Sequence, residues 1–310
     1  MNGKLSKNPK DYIRPLNING LQGRMMVIPD RFKKAGQGNE ILFVYGVHAS
    51  LERSWGLMQY LARFGRVTMP DLPGFGGMTP FYEIGIKPSF DSYADYLASF
   101  IKLRYKGKKI TLMAMSYSFS VVIIMLQKYP ELKDKINVLI SAVGVNDRNN
   151  FVFTKFQRVV FWMLFFLCRT PGLTWVMRHI IFRRGLFRLF YRKNHPKMRG
   201  FSDQKRNELI DFETYLWHAN DVKTYGTVMN DLFNVRHNNI KIPMTVNHIG
   251  TLNDQWLKDV RVQDRMNELF DRVVVHISPM KNHGSTVIGG EDEAREIIPQ
   301  TIEKILKKSH

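Results

Sequence analysis

In the first half of the chain, hydrophobic residues gather in short runs separated by stretches with helical spacing. The runs from Arg24 to Ile28, Glu40 to Tyr45, Arg66 to Met69, Lys109 to Ala114 and Ile136 to Ala142 read as strands. Short, nearly unbroken apolar runs are the pattern of strands covered on both faces. Between them, helical spacing predicts helices from Trp55 to Phe64, Ser92 to Arg104 and Ser118 to Lys128. The last must end at Tyr129-Pro130, because the residue before proline is pushed out of the helical region. Strands alternating with helices predict an α/β architecture built on a mostly parallel sheet.

After Asn150 the rhythm changes. Up to about Arg236 the pattern is helical without strands, and it then returns to strands from Pro243 to Ile249 and Arg272 to Ile277. A helix from Glu291 to Lys307 closes the chain. A sheet interrupted by a helical block and then completed predicts a core of residues 1–146 and 237–310 carrying an inserted lid, residues 147–236. No internal repeat or low-complexity tract is present.

Composition narrows the class. With 44% hydrophobic and 12% aromatic residues the chain can bury a substantial core, which excludes wholesale disorder. The single cysteine, Cys168, permits no intrachain disulfide. Met1 to Leu16 is polar and basic, without the apolar stretch of a secretory signal. The longest apolar run, Val159 to Cys168, falls short of the ~20 residues a bilayer-spanning helix needs. The expectation is a cytoplasmic protein. A net charge of +19 points to an anionic partner.

The strand ending at Ala114 runs through Met115 into Ser116-Tyr117-Ser118 and a helix, with small residues two positions either side of Ser116. A serine on a strained strand-to-helix turn exposes its hydroxyl, and only small neighbours fit where the turn packs. The helix that follows offers its N-terminal amides to an anion. The alternative is a serine that caps an ordinary helix.

Context favours the first reading. The chain resembles the α/β-hydrolase superfamily, in the form that carries a helical lid, over nearly its whole length. Ile41 to His48 stands where that family has a strand followed by an oxyanion loop, with Trp55 shortly after. Asp71-Leu72-Pro73-Gly74-Phe75-Gly76 is similar to the family's Asp-x-Pro-Gly-x-Gly segment and is the most specific match. The resemblance implies an eight-stranded, mostly parallel sheet flanked by helices, with Ser116 as nucleophile and His283 as base. Asp254 would orient His283 and backbone amides of Val47 and Tyr117 would form the oxyanion hole. Gly46, His48 and Met115 would line the pocket, and Asp71 would brace its turn. His248 and His276, alternating with apolar residues in strands, read as structural. Three departures stand out. Tyr45 replaces the histidine that commonly precedes the oxyanion glycine. Ala114 and Ser118 replace two glycines of the elbow. The family's Gly-x-x-Asp, counted from Gly250, falls on Asn253, one residue before Asp254, so Asp147 stays open as the alternative acid.

Ser116 excludes the carboxylate-nucleophile chemistry of dehalogenase and epoxide-hydrolase relatives. No metal-ligand spacing or phosphate-binding loop is present, so neither metal nor cofactor is expected.

Residues 151–200 hold eleven Lys or Arg and no Asp or Glu. Val159 to Leu167 is apolar between Arg158 and Arg169, and from Trp175 to Tyr191 apolar residues interleave with arginines. Arg184, Arg188 and Arg192 repeat every four residues and would share one helical face. Such helices suit an anionic bilayer surface, with Trp162, Phe165, Arg183, Arg184 and Arg188 as the membrane-facing set. The bland alternative is a lid whose apolar face packs on the core. The mostly aliphatic and Phe interleaving argues against nucleic acid. The expected function is hydrolysis of a carboxylic ester with an apolar or acyl group, at the inner face of a membrane. Its partners would be a small-molecule ester and an anionic bilayer, and no obligate protein partner is evident. An amidase or aminopeptidase-like hydrolase, or a non-catalytic binding protein, are the alternatives.

Overall fold

The computed structural model describes residues 5–32, 38–183, 185–186, 202–252, 254–280, 283 and 290–308. Strands β1 (Ile13–Ile18) and β2 (Leu21–Ile28) form an antiparallel hairpin, and β2 pairs antiparallel with β4 (Arg66–Pro70). From β4 onward every pair is parallel, through β3 (Glu40–Val44), β5 (Ile110–Met115), β6 (Ile136–Ala142), β7 (Ile242–Thr251) and β8 (Phe270–Ser278). Among the described residues these make one sheet in the order β1-β2-β4-β3-β5-β6-β7-β8. The central strands β3 and β5 are buried almost throughout, as their continuous apolar runs require.

Helices α1 (Trp55–Leu61), α2 (Phe90–Arg104) and α3 (Tyr117–Lys128) provide the crossovers of the first half. The side chain of Ser89 caps α2 by accepting from the Ser92 amide. Three elements differ from the sequence reading. Strand β1 lies in the segment read as merely polar. Arg14, Pro15 and Asn17 mask its apolar positions, and a proline is tolerated because β1 is an edge strand. A polar helix, Asp259–Leu269, joins β7 to β8 and buries only Val262, Met266 and Leu269. The closing helix is two, Glu291–Ile297 and Gln300–Lys308. Pro299 forces Ile298 into an extended conformation and divides them.

Between β6 and β7 the described chain is helical: α4 (Lys155–Arg169), α5 (Pro171–Val176) continuing into a π-helical turn (Met177–Ile181), α6 (Asp203–Ala219) and α7 (Val222–Phe233). A reciprocal capping box between Thr154 and Gln157 starts α4, and Ser202 and Asp221 cap α6 and α7. Helix α4 packs on α7 so tightly that a Cβ on Gly226 would lie 2.5 Å from Cβ of Cys168. Cys168, Met177, Phe182, Leu209, Ile210 and Val222 form a small core belonging to this block. The helical pattern from Trp175 ends in a turn at Phe182, and Arg184, Arg188 and Arg192 lie outside the described residues.

The Asp71–Gly76 turn seats the helical block on the sheet. The Gly76 and Gly77 amides donate to Asn220 Oδ1 (2.8 Å) and the Ala219 carbonyl (3.0 Å), and the Asp221 amide donates to the Gly74 carbonyl (2.8 Å). At Gly76, φ is +61° and a Cβ would fall 2.0 Å from Asp71 Oδ1, so no side chain fits there.

Candidate active site

Strained backbone gathers at one end of the sheet. Among the described residues four non-glycines have positive φ, and three of them, His48 (+57°), Ser116 (+51°) and Val143 (+44°), follow the C-terminal ends of β3, β5 and β6. Such conformations cost on the order of 1–3 kcal/mol each and persist only where the surroundings impose them. At Ser116 (φ +51°, ψ −117°) neighbouring backbone does so: its amide donates to the Ala142 carbonyl (3.0 Å) and its carbonyl accepts from Val145 (3.2 Å). The elbow's small residues have specific tasks. Ala114 is fully buried, and the Ser118 hydroxyl donates to the Tyr45 carbonyl, tying the turn to the end of β3.

Ser116 Oγ stands 2.8 Å from Nε2 of His283, and Nδ1 of the same ring stands 2.7 Å from Asp254 Oδ2. The other oxygen, Asp254 Oδ1, accepts from the amides of Trp256 (2.8 Å) and Leu257 (3.1 Å). An ionised carboxylate only accepts, so Nδ1 carries the ring proton and Nε2 is left to accept from the Ser116 hydroxyl. Asp254 is therefore the carboxylate beside His283. Asp147 is elsewhere: it caps the short turn Arg148–Asn150 and accepts from the Asn149 amide at 2.8 Å.

The loop after β3 passes alongside the serine. A Cβ on Gly46 would lie 3.2 Å from Ser116 Cβ, so glycine permits the approach. Tyr117 opens α3, where its amide has no acceptor within the helix. Its ring is buried against Phe90 (4.9 Å) and Tyr93 (5.6 Å), and burial raises its phenol well above the ordinary value. Tyr45, where the resembling family commonly has histidine, acts as a brace. Its hydroxyl donates to Asp71 Oδ1 (2.9 Å) and accepts from the Leu72 amide (2.8 Å). Arg24 bridges Asp71 and Glu52 on the far side. Burial pushes the Asp71 carboxyl up to about 7, although Arg24 and Tyr45 draw it down.

A cavity of about 290 Å³ opens on Ser116 and His283. Gly46, Val47, His48 and Met115 line it, as do Phe151, Phe233, Trp256 and Ile298, so its walls are mainly apolar. His48 is more than a wall. Its ring packs tilted against Trp217 (4.1 Å), Nδ1 contacts Asn220 (3.3 Å), and Nε2 lies 3.4 Å from the buried Glu213, which also faces Arg53 at 3.7 Å. The sequence carried no sign of Glu213, Trp217 or Asn220. They sit on or beside α6, a helix of ordinary composition, and Asn220 is 172 positions from the His48 that it touches.

His248 and His276 are structural, as read. His248 joins Ser141 Oγ (3.1 Å) to Asp259 Oδ1 (3.0 Å) deep beneath β6 and β7, and His276 joins Thr301 to Asn247. The first set repeats the residue types of the candidate site. Ser141 and His248 are fully buried, which leaves no route for a substrate. Among the described residues no cluster of His, Cys and carboxylates could hold a metal.

One membrane-facing candidate is corrected. Phe165 is 2% exposed, because it shares the inner stripe of α4 with Phe161 and Cys168 and packs on Phe233 (5.2 Å) and Tyr225 (6.3 Å). Trp162 and Arg183 are exposed.

No family model and no curated protein matches the chain by sequence. Solved structures match its shape. An esterase from Exiguobacterium antarcticum superposes with a TM-score of 0.65 at 16% identity, covering 94% of this chain and 97% of that one. The epoxide hydrolase CorEH does so with 0.64 at 15% identity, covering 95% and 97%. A hydrolase from Oleispira antarctica gives 0.62 at 11%, covering 92% and 94%. At these identities the likeness is one of fold, and the chain has the α/β-hydrolase fold.

Proposed function

We propose that the protein is a serine hydrolase that cleaves carboxylic esters bearing an apolar or acyl group. The observation that carries this reading is the unbroken relay Asp254–His283–Ser116, at 2.7 and 2.8 Å, ending on a strained serine at a cavity. Ser116 Oγ attacks the ester carbonyl carbon while Nε2 of His283 takes its proton. The Asp254 carboxylate holds the ring and stabilises the imidazolium. Backbone amides of Val47 and Tyr117 receive the oxyanion, a contribution of roughly 3 kcal/mol per donor in hydrolases of this kind. The tetrahedral intermediate collapses by expelling the alcohol, which takes the proton from His283 and leaves Ser116 acylated. Water, deprotonated by the same nitrogen, releases the acid and restores the hydroxyl.

The mainly apolar cavity supports an apolar acyl group. Fold neighbours include an epoxide hydrolase as well as an esterase. The hydroxyl at position 116 favours acyl transfer, because opening an epoxide by nucleophilic attack in this fold calls for a carboxylate there. An amidase or aminopeptidase-like hydrolase is the alternative within the same triad chemistry. Paired nitrophenyl esters and aminoacyl nitroanilides separate the two. A fluorophosphonate probe should label Ser116, and Ser116→Ala should abolish labelling and lower ester turnover by several orders of magnitude. A Ser116→Ala protein that keeps full turnover refutes the mechanism, and an unlabelled wild type points to a non-catalytic binding protein.

A further inference from the structure

Helix α4 is apolar on two sides, and only one is used. Its inner stripe, Phe161, Phe165 and Cys168, packs on α7. Its outer stripe, Phe156, Val159, Val160, Met163, Phe166 and Leu167, repeats at three- and four-residue intervals and faces outward, with Phe156 76% exposed. Next to it Trp162, Leu173, Trp175, Ile180 and Ile181 are exposed as well. A helix apolar all round belongs inside something. Core packing accounts for one face of α4 and leaves the other without a partner among the described residues.

We propose that this outer face of α4 and the adjoining Pro171–Ile181 segment docks on an anionic lipid bilayer, lying in its interface without crossing it. Three observations select this occupant. The first is charge: residues 151–200 carry eleven Lys or Arg and no acidic residue. Lys155 and Arg169 bound α4, and Arg178 and Arg183 follow. A segment so charged attracts anionic headgroups and opposes pairing with a second copy of itself. The second is chemistry: the patch mixes aliphatic side chains with Trp162 and Trp175, and tryptophan favours the boundary between lipid and water. The third is geometry: α4 and the next helical segment are bent by 91°, and α4's 15 residues span only about 22 Å against the ~30 Å of a hydrocarbon core. Two short legs with basic ends suit the interfacial plane. Phe233 of α7, on which the inner stripe packs, lines the candidate cavity, so α4 and α7 would separate bilayer from site.

The test is co-sedimentation of the full chain, wild type and Ser116→Ala, with phosphatidylcholine vesicles with and without phosphatidylglycerol. Both proteins should bind the anionic vesicles, more weakly as salt rises, with a blue shift of tryptophan emission that Trp162→Phe/Trp175→Phe removes. Lys155→Gln/Arg183→Gln should weaken partitioning roughly fivefold per charge. Phe156→Ser/Met163→Ser/Phe166→Ser, all on the solvent side, should abolish it while unfolding at the wild-type temperature. Because Ser116→Ala is carried throughout, vesicle binding is read independently of hydrolysis. The inference is overturned if neither vesicle sediments the protein, or if the triple variant binds as well as wild type. It is equally overturned if ultracentrifugation finds a dimer that the triple variant dissolves, since a second copy then covers the face.

Discussion

At the scale of single residues, two carboxylates competed for one role and geometry separates them. Asp254 Oδ2 faces His283 while its Oδ1 is fixed by two amides, so Asp254→Asn keeps the shape but lets an amide N–H face Nδ1 and turns the imidazole to the wrong tautomer. The expected loss in kcat on a nitrophenyl ester is on the order of 10⁴-fold. Asp147→Asn still caps its turn and should leave kcat nearly unchanged; equal losses in the two variants would contradict the assignment. The sequence favoured Asp254, and the one-residue offset from the family spacing left Asp147 open, because a spacing counts residues along a loop and says nothing of how the loop bends. His237 supports a pH prediction. Its buried ring has no hydrogen-bond partner among the described residues, and burial, with Arg265 nearby, lowers it from 6.5 to about 4. Between those values the unfolded chain binds the proton that the folded one refuses, so this group's contribution is present above pH 6.5 and is lost as pH falls toward 4. At pH 5 the loss is about 2 kcal/mol. His237→Leu should flatten the decline in unfolding temperature between pH 7.5 and 5, and an unchanged slope would show that other groups set it.

At the scale of elements, the strands were legible because each apolar run is buried by the sheet itself, and β6 matches its expected bounds from Ile136 to Ala142. What escaped was decided by context. In β1 an edge position permits polar residues and a proline, while the Asp259–Leu269 helix is mostly polar. The contact between α6 and the loop after β3 escaped entirely, since a long-range pairing leaves no local pattern. Glu213 is its centre, a buried carboxylate between His48 and Arg53. Glu213→Ala removes the charge facing a partly exposed Arg53, at a cost of about 1–3 kcal/mol. Because the cut lies between α6 and the loop after β3, amide exchange should quicken in α6 and in residues 46–54 while β5 and β6 stay protected. Exchange that rises evenly across the chain would mean Glu213 serves global stability and does not latch α6 to the loop.

At the scale of the whole molecule, charge is the property that sequence showed most plainly. Many cations have partners: Arg24 with Glu52 and Asp71, Arg31 with Glu291, Lys108 with Glu40. These pairs belong to the sheet half, where acidic residues occur. Residues 151–200 contain none, and their eleven cations make up more than half of the +19 surplus. Concentrated like charge opposes the compact state, and salt relieves it by shortening the screening length from about 30 Å at 0.01 M to about 8 Å at 0.15 M. Surface ion pairs work in the opposite sense and weaken with salt, but each is worth less than about 1 kcal/mol. Repulsion should therefore win, and the unfolding temperature should rise as sodium chloride is raised over that range. Lys155→Gln/Arg183→Gln, which removes two of these cations, should show a smaller rise. A temperature that falls with salt would mean that the ion pairs around Arg24 and Glu40 outweigh the crowding of charge along residues 151–200.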